Sequence, residues 1–167
     1  MADLLESLRQ SLADPITRHA MLVHFPIAVS LLAVPFVLIL PFLGSRNATT
    51  FRLGLAITLF VIAVVAWQAS EAGEAALSVV EARLPGQNAR EVLAAHAALG
   101  ERIPLLMMGT SLLVGATLIR VRWIRMGTSL LAIGAAVTTS AVVVIASDDG
   151  GRLVHHLDRM PASWNSD

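Results

Sequence analysis

The sequence predicts an all-α protein: a four-helix transmembrane bundle with short amphipathic helices on its outer face. Three observations carry that prediction. Of 167 residues, 56% are hydrophobic and only 14% charged, with a mean hydropathy of +0.72, where soluble domains carry about a quarter charged residues. Four apolar runs are long enough to cross ~30 Å of hydrocarbon. Once those runs are drawn as spans, all twelve acids and all five histidines fall on one side of the membrane.

At the N-terminus, Leu4, Leu5, Leu8 and Leu12 recur at helical spacing opposite Glu6, Arg9 and Gln10. Residues 1–19 therefore read as an amphipathic segment lying on the membrane surface, its helix ended by Asp14-Pro15. No basic stretch precedes the first apolar run, which argues against a secretory signal. The transmembrane domain is expected over 20–147 and an outer tail over 148–167. Its spans are about Met21–Phe42, Leu53–Ala69, Ile103–Ile119 and Gly127–Ala146. Backbone groups in lipid must be satisfied within the segment, so each span reads as a helix. Pro26, Pro35 and Pro41 predict a kinked first span. Ser111 and Gly115, and Ala132, Ala136 and Ser140, are small residues four apart that let helices approach closely. No internal repeat stands out.

Charge sets the expected orientation. The connections holding Arg46 and Arg52, and Arg120, Arg122 and Arg125, contain no acid, so the positive-inside rule places them in the cytoplasm. Both termini and the Ser70–Arg102 connection then lie outside. Every basic residue is arginine, since lysine is absent. The absence of cysteine excludes disulfides, thiolate metal sites, covalently attached haem and iron–sulfur ligation by this chain. The bilayer is the expected environment, and no nucleic-acid partner is expected.

The histidines are the candidate chemistry. His19 enters the first span, His24 lies just inside it, His96 stands on the helix leading to the third span, and His155 and His156 follow the fourth. Among Leu22, Val23, Phe25 and Pro26, the His24 ring is expected to face the bundle interior, where an imidazole finds partners that lipid does not supply. Two histidines without further ligands suit the axial positions of a b-type haem between helices. A closed zinc site wants four ligands, usually with thiolates, and no Glu-x-x-His spacing marks a carboxylate-bridged metal pair. His24 and His96 are thus the expected axial ligands to haem b iron, with His19 or His155 as substitutes. His155 and His156 diverge by about 100° on a helix and cannot both face one centre. Arg18 or Arg102 could pair with haem propionates.

The segment His19-Ala20-Met21-Leu22-Val23-His24-Phe25-Pro26-Ile27-Ala28 resembles the signature His-Pro-x-x-Val-His-Phe-Pro-Ile-Ala of the DUF2231 family of bacterial membrane proteins. His96-Ala97-Ala98-Leu99 resembles that family's second histidine region, and Gly150-Gly151-Arg152-Leu153-Val154 its motif after the last span. Ala20 stands where the signature has proline, and His155 where the family often has tyrosine. The resemblance implies a bacterial membrane protein in a redox setting; with the orientation that charge sets, the expected location is the bacterial inner membrane, multi-pass, N-out and C-out.

The expected function is a b-type haem electron-transfer subunit with its site near the outer face, serving a periplasmic or membrane redox partner. No nucleophile–base pair appears, so an electron carrier or accessory subunit is expected rather than an enzyme. The alternatives are a non-catalytic assembly subunit of a larger membrane complex, and an outer-face metal-binding protein.

Overall fold

A computed structural model describes residues 2–44, 48–84 and 86–158. The protein is all-helical, with no strand among the described residues. The helices are α1 (Ala2–Ala13), α2 (Pro15–Leu38), α3 (Ala48–Arg83), α4 (Gly86–Gly100), α5 (Ile103–Ala116) and α6 (Arg122–Asp158). A single 3-10 turn, Leu40–Phe42, follows α2.

Asp14 separates α1 from α2. Its carboxylate accepts the Thr17 backbone N–H at 2.8 Å and the Thr17 hydroxyl at 2.5 Å, while Pro15 occupies the first turn, where a missing N–H costs nothing. Pro26 and Pro35 lie inside α2, and Pro41 falls in the 3-10 turn. Gly86 opens α4 with a φ of 78°, which an L side chain rarely adopts. Pro104 stands in the first turn of α5, where it ends the run that began as α4 and restarts it after Glu101-Arg102.

Four apolar stretches are long enough to cross a membrane: Pro15–Phe42, Ala48–Arg83, Gly86–Ala116 and Arg122–His155. The protein is accordingly a multi-pass membrane protein. The helices outrun the spans expected from hydropathy. At 36 residues, α3 is about 54 Å long at 1.5 Å per residue, well beyond ~30 Å of hydrocarbon. Likewise α6 continues through the segment expected as a tail, as far as Asp158. The remainder of that tail, 159–167, lies outside the described residues.

Around the bundle α2 packs on α3 and α6, and α5 packs on the same two helices. That ring of contacts leaves α2 and α5 diagonally opposed. The main core joins Val37, Leu40, Leu59 and Val114 to Ala33, Ala56, Ala132 and Ala136. Small residues bring the backbones close enough for side chains to bond across helices. Ser111 Oγ donates to the Ala56 carbonyl at 2.9 Å and Ser140 Oγ to the Ser30 carbonyl at 2.9 Å. Between apolar helices in lipid, such contacts supply packing that the hydrophobic effect does not. A second, smaller core of Leu84, Ala89, Leu93 and Leu153 closes the far end, where α4 lies against α6. The bundle therefore has a histidine end, capped by this small core, and an arginine end at the α2–α3 and α5–α6 connections.

Candidate functional site

The buried face of α2 runs Pro26, Ser30, Ala33, Val37. Two turns before Pro26 on that face stands His19. His24 is two residues before Pro26, so at ~100° per residue it points to the opposite side. The structure follows that register. His19 is half-buried, with its Nδ1 2.7 Å from the Ala69 carbonyl oxygen of α3. His24 is exposed on the outside of the bundle, and its Nδ1 lies 2.6 Å from the Ala20 carbonyl one turn back on its own helix. This corrects the expectation that His24 faces the interior: the local bond to Ala20 satisfies one ring nitrogen without any inward partner.

His96 reaches the core by the same logic. The buried positions Ala89, Leu93, Pro104, Met107 and Thr110 mark one face through α4 and α5, and His96 lies on it. Its Nδ1 sits 2.9 Å from the Ala146 carbonyl oxygen of α6. A carbonyl has no proton to give, so in each of these rings Nδ1 carries a hydrogen and donates it. The partner of His96 is His19. Their ring centroids are 6.0 Å apart and their planes stand at 80°. His155 is exposed near the end of α6 and is not part of this pair.

Two glycines make the bonds possible. In an α-helix the side chain at i+4 leans back over the carbonyl of residue i. Gly73 stands four residues after Ala69, and Gly150 four after Ala146. A Cβ at position 73 would fall 2.9 Å from His19 Nδ1, and one at position 150 would fall 3.2 Å from His96 Cε1. Each glycine thus uncovers a helical carbonyl, and an imidazole from the next helix enters the gap.

The two half-sites are copies. His96, Ala146 and Gly150 each follow His19, Ala69 and Gly73 by 77 positions. Burial repeats at the same offset: Val37 with Val114, Leu59 with Ala136, Ala66 with Val143 and Ala76 with Leu153 are all buried pairs. An internal repeat therefore exists, which the sequence reading missed. Its identities are few: His-Ala-x-Leu (19–22 and 96–99), Ala-Ser (69–70 and 146–147) and the glycine three residues later stand out, and the others, such as Val37 and Val114, are scattered amid interchangeable apolar residues. Equivalent residues in contact lie on the axis relating the two halves, and His19 and His96 are such residues.

Near the pair, the Arg18 Nε is buried and lacks a hydrogen-bond partner within the protein. Trp67 Nε1 donates to Glu71 at 2.9 Å on the exposed side of α3. Among the described residues no group of three or more histidine, cysteine or acidic side chains could hold a metal ion. No protein-family model, curated protein or solved structure matches the chain.

Proposed function

We propose that this protein is a membrane electron carrier that holds a b-type haem between His19 and His96 at the histidine end of the bundle. The observation that carries this reading is the His19–His96 pair itself: two imidazoles from α2 and α4, Nδ1 of each tied to a backbone carbonyl, with centroids 6.0 Å apart. Imidazoles presented by two facing helices are the residues that would hold a haem iron, and bound haem would be ligated by His19 and His96. His24, the ligand expected from the sequence, gives way to His19 in this reading.

The donor set fits the group. A ligating histidine ordinarily donates its other ring N–H to a carbonyl or carboxylate, which fixes the tautomer and raises the basicity of the ligating nitrogen. The Ala69 and Ala146 carbonyls are placed for that task. The orphaned Arg18 Nε supplies a buried donor for a propionate. A three- or four-ligand zinc site has no support in the described side chains. Bound haem would supply one-electron chemistry. The chain's own residues orient the imidazoles, hold their protons on Nδ1 and keep the site beside a closed apolar core.

In the same reading the acid-free arginine end is cytoplasmic. The histidine end, with both termini, then faces the outer side of a bacterial inner membrane, where a redox partner would dock. The motif resemblance to DUF2231 membrane proteins supports that setting. A second reading rests on the same hydrogen bonds: the histidines act only as clamps, joining α2 to α3 and α4 to α6 in a structural subunit of a larger complex. An absorption spectrum of the purified, haem-supplied protein separates the two. Sharp α and Soret bands on reduction support the haem site, and a colourless protein refutes it.

A further inference from the structure

At the other end of the bundle, a cavity of about 420 Å³ lies between the turn after α2 and the start of α6. Its lining includes Phe42, Leu43, Arg122, Arg125, Met126 and Ser129. Beside it, Arg52 of α3 is 97% buried, being 3% exposed, and reaches the Leu40 and Leu43 carbonyls at 3.2 and 3.1 Å. Its Nε is buried without a partner. No acid occurs in the sequence between Asp14 and Glu71, or between Glu101 and Asp148. These three cations therefore lack a carboxylate anywhere along the segments that form this end. Arg122 and Arg125 occupy the first turn of α6, where the helix dipole already presents positive charge and disfavours cations. A partly closed site lined by two guanidinium groups at a helix N-terminus, with a third, buried arginine bonded to Leu43 of its wall, calls for an anion from outside the chain. The rim adds a second demand. Phe42 is 87% exposed and Met126 42% exposed, an apolar surface of no use to a free ion but suited to the acyl and glycerol part of a lipid.

We infer that this cavity binds the phosphate group of an anionic phospholipid, held by Arg122 and Arg125, with its apolar part against Phe42 and Met126. The test is native mass spectrometry of the detergent-purified full chain, titrated with phosphatidylglycerol and, separately, with phosphatidylcholine. Phosphatidylglycerol should be retained at least tenfold more strongly. The Arg122→Gln/Arg125→Gln double variant should lose that preference, by about fivefold for each arginine removed, while keeping its helical circular dichroism. Arg152→Gln, at the opposite end, should bind as the parent does. Equal retention of the two lipids, or unchanged retention by the double variant, would overturn the proposal. Displacement of the lipid by millimolar inorganic phosphate would overturn it in favour of a free-anion site, and resistance to phosphate supports the lipid.

Discussion

His19 and His96 meet edge to face across the axis of the bundle, 6.0 Å between centroids, although 77 positions of sequence separate them. Each is tied to a carbonyl 50 residues further along the chain, on Ala69 and Ala146. The contact joins equivalent positions: each half of the bundle presents a histidine tied to a carbonyl beside a glycine, at the same offset of 77.

Substitution of the pair should separate it from the other histidines. In a haem-loaded preparation, His19→Ala and His96→Ala should each abolish the low-spin spectrum or shift it to high spin. His24→Ala should leave the bands in place, because that ring is exposed and bonded to its own helix. Loss of the spectrum in His24→Ala with retention in His19→Ala would reverse the ligand assignment.

Glycine substitutions probe the gaps that admit the rings. Alanine usually stabilises a helix relative to glycine by about 1 kcal/mol. At Gly73 the new methyl would sit 2.9 Å from His19 Nδ1, so Gly73→Ala should instead destabilise by about 1–3 kcal/mol, as overpacking does. Gly150→Ala, with its nearest atom at 3.2 Å, should cost less, and Gly134→Ala, with nothing within 4 Å, should cost nothing. Thermal unfolding in detergent gives the order, and a Gly73→Ala midpoint at or above the parent's would contradict it.

Arg52 holds the turn after α2 in place by bonding the Leu40 and Leu43 carbonyls. Arg52→Met leaves both without a donor in a buried setting, a loss of about 1–3 kcal/mol. Denaturant unfolding should record the drop. An unchanged midpoint would mean that the 3-10 turn is held by packing alone.

Acid should loosen the start of α2. Hydrogen bonds from the Thr17 hydroxyl, and then from its backbone N–H, hold the Asp14 carboxyl below its ordinary value of 3.8. A carboxyl depressed in the folded state contributes stability above its unfolded value and loses it as pH falls through the folded one. The protection of the Thr17 and Arg18 amides, taken against the intrinsic exchange rate at each pH, should therefore be high at neutral pH and fall below pH ~4. Asp14→Ala should show low protection at every pH, and pH-independent protection in the parent would contradict the cap.

The proposed orientation has its own check. A reporter fused at Arg122 should read cytoplasmic and one at Gln87 external. The opposite pattern would put the histidine end inside.

Hydropathy was enough to read the all-helical class, four crossings and the break at Asp14-Pro15, because a chain in lipid must close its backbone hydrogen bonds locally and proline and a capping acid act on their own turn. The extent of the helices was not legible. The polar ends of α3, α4 and α6 are held by packing around Leu84, Leu93 and Leu153, which hydropathy does not report. The choice of histidine was half legible. His96 was singled out as a candidate, and the ring it meets is that of His19 and not of His24, because the buried register of α2 decides which imidazole turns inward. That register was already written in Pro26, Ser30, Ala33 and Val37. Which carbonyl each ring would meet, and that the two rings would meet each other, depended on how α2 and α4 are brought together at one end of the bundle against α3 and α6, since a contact across 77 residues exists only when the tertiary fold closes it.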